Sequence, residues 1–104
     1  MQRIAFKMQL HPGMKSEYQK RHDEIWPEII TLLNRSGIRN YSIHLDSETN
    51  TLFAYLERMD INSMDVLGED PVMKKWWAFM KDIMTYNSDD RPNVTLLDEV
   101  FFMS

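Results

Sequence analysis

The sequence predicts an α+β fold in which one antiparallel sheet packs against two helices. Hydrophobic residues alternate with a period of two in four segments, as expected of strands. They recur at the helical spacing of about 3.6 residues in two other segments. The segments follow one another in the order β-α-β-β-α-β, which favours helices grouped on one face of an antiparallel sheet.

The first strand is predicted at Arg3–Leu10, and the turn sequence HPG follows it directly. The first helix is predicted from Ser16 to Asn34, with Ser16 as its N-cap and Gly37 as its C-terminal stop. On a helical projection of about 100° per residue, one face collects these side chains: Tyr18, His22, Ile25, Trp26, Ile29, Leu32 and Leu33.

Pro27 interrupts this face. It has no backbone N–H, and its ring would clash with the carbonyl group of Asp23 in a straight helix. We therefore expect a kink or a restart, with Pro27 in the first turn of a second helical segment.

Two further strands are predicted at Ile38–Asp46 and Thr51–Arg58, joined as a hairpin by the turn at Ser47–Asn50. The second helical region is predicted at Asn62–Met84. Its pattern is weak up to the sequence GEDP and strongly amphipathic from Val72 onwards.

A polar loop at Asn87–Asn93 and a final strand at Leu96–Met103 complete the ferredoxin-like order. Helices on one face of such a sheet normally leave a polar second face, but the third and last strands are apolar on both faces. The chain has no third layer, so a second copy of the same protein is the simplest cover. We expect a homodimer that associates through its sheets.

Composition limits the class of protein. The 104 residues form one predicted domain, residues 1–104, with a net charge of −4 and 12 scattered Lys and Arg residues. Nucleic acid is therefore not an expected partner, because phosphate binding needs a basic patch. No apolar run reaches the roughly 20 residues that span a bilayer, so no membrane association is expected. The absence of cysteine and of a signal-peptide pattern fits a cytoplasmic protein.

His22 is the main catalytic candidate, because it lies on the apolar face of the first helix between Tyr18 and Trp26. A histidine there is more often a structural group, but imidazole can both donate and accept protons near neutrality. Tyr18 lies one turn earlier and can face the same cavity, and Tyr41 adds a polar-tipped ring on the next strand.

Trp76 and Trp77 form the second unusual feature. Adjacent helical residues point about 100° apart, so both rings cannot be equally buried in one stripe. Trp76 has an ordinary core interpretation, whereas Trp77 requires a partner at the edge of the core. A pocket of Trp and Tyr rings with one histidine suits a sugar, a planar ligand or a dimer contact.

No metal or cofactor is expected. His22 has no second good ligand four residues away on its face, and no motif of the H-E-x-x-H type is present. The three glycines form no phosphate-binding loop, and no serine nucleophile motif appears.

Six segments together resemble the L-rhamnose mutarotase family: AFKMQ, EYQKRHDEIWPEI, NYSIHLD, LFAYLE, WWAFMKDIM and DEVF. They occur in the family's order and spacing and cover the chain from Ile4 to Phe102. The resemblance implies a ferredoxin-like fold that dimerises through its sheets, as in dimeric α/β barrels. It also implies interconversion of the α and β anomers of L-rhamnose without a metal or organic cofactor.

By position, the resemblance makes His22 the proton donor and assigns sugar contacts to Tyr18, Tyr41, Trp76 and Trp77. The chain departs from the family at two places. The loop sequence NSDDRP has Ser88 and Arg91 where Pro and Ser are usual, and Phe102 stands where His or Tyr is common.

Two other functions remain as alternatives. A cofactor-free monooxygenase or haem-degrading relative on the same fold would use the aromatic pocket for a planar substrate. A non-catalytic dimeric sensor would use His22 only as a structural group.

Overall fold

The computed structural model describes all 104 residues and has the predicted α+β architecture. Its elements are, in chain order, β1 Gln2–Gln9, α1 Lys15–Asp23, α2 Pro27–Arg35, β2 Ile38–Asp46, β3 Thr51–Arg58, a 3-10 helix Met64–Glu69, α3 Pro71–Met80, a 3-10 helix Lys81–Ile83, and β4 Thr95–Leu96. The sheet order is β2-β3-β1-β4 with every neighbouring pair antiparallel, which is the ferredoxin-like order.

The predicted restart at Pro27 is confirmed. Trp26 has an extended backbone (φ −63°, ψ 133°), and Pro27 occupies the first position of α2, where no N–H is needed. Gly37 ends this helix with a positive φ of 89°, and its N–H donates to the Asn34 carbonyl at 3.1 Å.

The prediction that Ser16 is an N-cap is wrong. Helix α1 begins earlier, with Met14 as the N-cap residue and no side-chain hydrogen bond at that position. The turn that contains Gly13 (φ 78°) leads straight into the helix, so Ser16 already lies in its first turn.

The core lies between the inner face of the sheet and the helices. The core contains Leu52, Ala54 and Leu56 of β3. From the helices it contains Ile29, Leu32, Met73, Trp76 and Met80. The helix predicted to run to Met84 ends at Met80, because the chain then turns towards the end of β1. There the His11 N–H donates to the Ile83 carbonyl and the Thr85 N–H to the Gln9 carbonyl, both at 2.9 Å.

The last strand is shorter than predicted. Only Thr95–Leu96 pairs with β1, and the Leu97 N–H adds one more hydrogen bond, to the Ala5 carbonyl at 2.9 Å. The remaining residues are exposed, including Val100 at 93% and Phe101 at 78%. The prediction of a strand to Met103 is wrong, because one chain offers no surface that could cover these apolar side chains.

Replacing Gly37 with alanine should destabilise the fold more than replacing Gly13. Both residues have a left-handed φ, which costs an alanine roughly 1–2 kcal/mol. A Cβ at position 37 would also lie 3.0 Å from Asn62 Cβ, whereas position 13 has no atom within 4 Å. Urea unfolding should therefore give a loss of about 1 kcal/mol for Gly13→Ala and about 2 kcal/mol or more for Gly37→Ala. Equal losses would show that the contact with Asn62 does not constrain Gly37.

Candidate functional site

A cavity of about 800 Å³ lies between the inner face of the sheet and the helices. Of its 30 lining residues, 21 are hydrophobic, so the few polar side chains determine what it can do chemically. The five predicted site residues all line this one cavity: Tyr18 and His22 from α1, Tyr41 from β2, and Trp76 and Trp77 from α3.

His22 is held by its own helix. The one-turn spacing stacks its ring on that of Tyr18, with ring centroids 4.3 Å apart, and the Trp76 ring meets it edge-on at 5.5 Å. Its Nδ1 lies 3.0 Å from the Tyr18 carbonyl oxygen. Because a carbonyl oxygen only accepts hydrogen bonds, Nδ1 must carry the proton. In the neutral ring, Nε2 is then a proton acceptor.

Burial lowers the pKa of His22 below its ordinary value of 6.5, while the hydrogen bond to Tyr18 and the charge of Asp23 act in the opposite direction. The imidazole is therefore neutral at neutral pH. A neutral ring with a fixed Nδ1–H is poised to accept a proton before it donates one.

Both tyrosine hydroxyl groups keep their protons. Tyr41 is 39% exposed, but desolvation of its hydroxyl group against the cavity wall raises its pKa to about 12, and burial raises the pKa of Tyr18 well above its ordinary value. Each hydroxyl can thus donate and accept a hydrogen bond at neutral pH. The Tyr41 ring also packs against the Phe6 ring, with centroids 6.3 Å apart.

Tyr41 reaches the cavity through a β-bulge that sequence reasoning missed. The register between β2 and β3 shifts between Arg39 and Ser42, and Asn40 has a positive φ of 51°. The extra residue allows both Ile38, in the core, and Tyr41, three positions later, to lie on the inner side of the sheet. The available signal was Asn40 itself, since asparagine tolerates this backbone conformation.

The two tryptophans differ as predicted. Trp76 is 7% exposed and packs edge-on against Trp26, with centroids 5.1 Å apart, so it belongs to the core and to the cavity wall. Trp77 is only partly buried, and the guanidinium carbon of Arg91 lies 5.7 Å from its ring centroid. The Trp77 ring therefore faces the cavity and packs near Arg91, which meets the expectation that it needs a partner.

The polar loop predicted at Asn87–Asn93 contributes Asn87, Arg91 and Pro92 to the cavity lining. The loop is closed by a hydrogen bond of 2.8 Å from the Asn87 N–H to the Arg91 carbonyl. In the sequence, the one sign that this loop reaches the cavity is that Arg91 departs from the family pattern.

The structure contains neither a metal-binding cluster nor a membrane-spanning helix. No group of three or more His, Cys, Asp or Glu side chains is placed to hold a metal ion. None of the helices combines the length and hydropathy that a membrane span requires.

Residues 3–103 match the model of a family described as L-rhamnose mutarotase. A protein of that name from Rhizobium etli is 60% identical over 99 residues, which cover 95% of this chain and 93% of that protein. Another from Rhizobium johnstonii is 56% identical over 103 residues, covering 99% and 97%.

Two solved structures are similar to this chain. The crystal structure of an L-rhamnose mutarotase from Formosa agariphila has a TM-score of 0.91 and 46% identity, and the match covers 100% of both chains. A Mycobacterium tuberculosis protein with a TM-score of 0.60 and 16% identity, matched over 98% and 97% of the two chains, shares the fold alone.

NMR should show His22 in the neutral form protonated at Nδ1, with a pKa below 6.5. Long-range ¹H–¹⁵N correlations during a pH titration distinguish the two tautomers and give the pKa. A His22→Gln variant assigns the signals, because only one of the three histidine patterns disappears. A neutral ring protonated at Nε2, or a pKa above 6.5, would contradict the hydrogen bond to the Tyr18 carbonyl.

Proposed function

This chain belongs to the L-rhamnose mutarotase family, and we propose that it interconverts the α and β anomers of L-rhamnose in this cavity, as an isomerase. Family membership supports the substrate, and the fixed tautomer of His22 in an aromatic cavity carries the mechanism. The cytoplasmic location expected from the composition stays a prediction.

We propose that His22 carries out both proton transfers. Ring opening removes a proton from the anomeric hydroxyl and adds one to the ring oxygen, while the bond between the anomeric carbon and the ring oxygen breaks. Both oxygens are bonded to the same carbon, so one Nε2 atom can accept the first proton and deliver it to the second oxygen. Closure on the opposite face of the carbonyl reverses these transfers and returns His22 to its neutral form.

The other four residues are proposed to bind the sugar. The Trp76 and Trp77 rings offer apolar surfaces to the C–H groups of the sugar and exclude water from it. The hydroxyl groups of Tyr18 and Tyr41 remain protonated, so they can hold sugar hydroxyls without adding a charge to the cavity.

Replacing His22 with glutamine should reduce kcat by roughly 10²–10⁴-fold, the usual contribution of a general acid–base group. Saturation transfer between the anomeric protons of equilibrated L-rhamnose measures this exchange, after subtraction of the spontaneous rate. For the wild type, kcat/KM should fall as the pH drops below the lowered pKa of His22, because an imidazolium cannot accept the first proton.

His11→Gln is the matched control, because His11 is exposed in the turn after β1 and does not line the cavity. It should exchange the anomers at the wild-type rate. A folded His22→Gln variant with undiminished exchange would exclude His22 as the proton carrier.

We also propose that the protein is a homodimer that associates through the outer face of the sheet. This face includes Phe53, 40% exposed on β3, and Arg3 on β1, whose guanidinium carbon lies 3.4 Å from the ring centroid of the exposed Phe102. Its polar residues include Lys7 and His44, both neighbours of Phe53 in the β1–β3–β2 register. A second copy would cover side chains that one chain leaves in water.

Phe53→Lys should separate the dimer. A two-fold interface places the same face of each copy against the other, so each dimer would bury two added charges near Lys7. Light scattering after size-exclusion chromatography should give twice 12.5 kDa for the wild type and 12.5 kDa for the variant. Ile61→Lys, which alters a side chain 92% exposed outside the sheet, should remain dimeric. A monomeric wild type would refute the proposal.

A further inference from the structure

Arg91 is a charged group at the cavity that the proposed mechanism does not use. It lies in the loop that precedes β4, and its guanidinium group lies within cation–π distance of the Trp77 ring. Only a few of the residues lining the cavity are charged, and Arg91 is the one among them that contacts a predicted sugar-binding ring.

The guanidinium group is held from outside the cavity. Its Nη2 donates to Glu69 Oε1 at 3.1 Å, and its Nε lies 3.9 Å from Asp89 Oδ2. Neither carboxylate lines the cavity. The hydrogen bond to Glu69 orients Nη2, and Asp89 places a second negative charge beside Nε, so Nη1 is the nitrogen that has no acidic partner.

Nη1 lies against Gly68, which also lines the cavity. A Cβ at position 68 would be 2.7 Å from Nη1, so the guanidinium occupies space that any other residue would fill. None of the hydrogen bonds within the chain uses Nη1, so its two N–H groups are available to a ligand.

We propose that Arg91 is a further sugar-binding residue, whose Nη1 donates a hydrogen bond to a ring hydroxyl of the sugar that lies against Trp77. This inference rests on the proposed mutarotase function and adds a specificity determinant to it. Arg91 binds a hydroxyl that does not react, so its contact is equally strong in the ground state and the transition state. Its loss should raise KM and leave kcat unchanged.

Saturation-transfer rates measured over a range of L-rhamnose concentrations test this split. Arg91→Ala should raise KM about tenfold, as expected for the loss of a charge-assisted hydrogen bond, and keep kcat within about twofold. Arg91→Lys keeps the positive charge but loses the planar guanidinium group with its two terminal nitrogens. Its KM should therefore lie between those of the wild type and Arg91→Ala. Arg35→Ala is the matched control, because Arg35 pairs with Asp70 at 3.6 Å outside the cavity.

Analogues that each lack one ring hydroxyl identify the contact. For one of them, wild type and Arg91→Ala should have the same KM, because the hydrogen bond is already missing. A KM ratio that persists with every analogue would overturn the proposal, since Arg91 would then only shape the loop. An unchanged KM for L-rhamnose would overturn it while leaving the mutarotase function intact, and a wild type without exchange would overturn both.

Discussion

The position of α1, and with it that of His22, depends on the ion pairs of Arg21. This guanidinium donates to both oxygens of Asp82, at 2.8 and 3.1 Å, to the Phe79 carbonyl at 2.8 Å, and to Glu17 at 2.8 Å. The bonds raise the pKa of Arg21 above its ordinary value and lower that of Asp82. They join α1 to the end of α3, which carries the tryptophans.

Such a polar connection is needed because α1 contributes little to the core. Tyr18 is its one buried residue, whereas α2 buries Ile29 and Leu32. The break at Trp26–Pro27 divides the segment into a helix that lines the cavity, α1, and a helix that builds the core, α2. Helix α2 packs on the sheet, and α1 stands over a cavity that an apolar helix face would have filled. The same chain segment thus provides both stability and an open site.

Local chemistry explains how much of this the sequence could predict. The alternation in β2 and β3 and the missing N–H of Pro27 act on neighbouring residues, so those boundaries were predicted correctly. The bulge at Asn40, the ion pairs of Arg21 and the placement of Arg91 depend on partners distant in the chain. The last strand was predicted too long, because the alternation of apolar residues does not show which surface covers their side chains. The five residues singled out in the sequence all line one cavity, although their spacing alone could not give the tautomer of His22.

That tautomer fits the proposed mechanism, in which His22 must give back the proton that it accepts. When Nε2 accepts a proton, the hydrogen bond from Nδ1 to the Tyr18 carbonyl becomes charge-assisted and stabilises the imidazolium. A carboxylate in the same place would hold the charged ring more firmly and delay the second transfer. The apolar cavity acts in the other direction, because burial favours the neutral ring. Weak support for the charged form and a preference for the neutral form both favour a short-lived imidazolium, as the proposed proton transfer between two oxygens of one carbon requires.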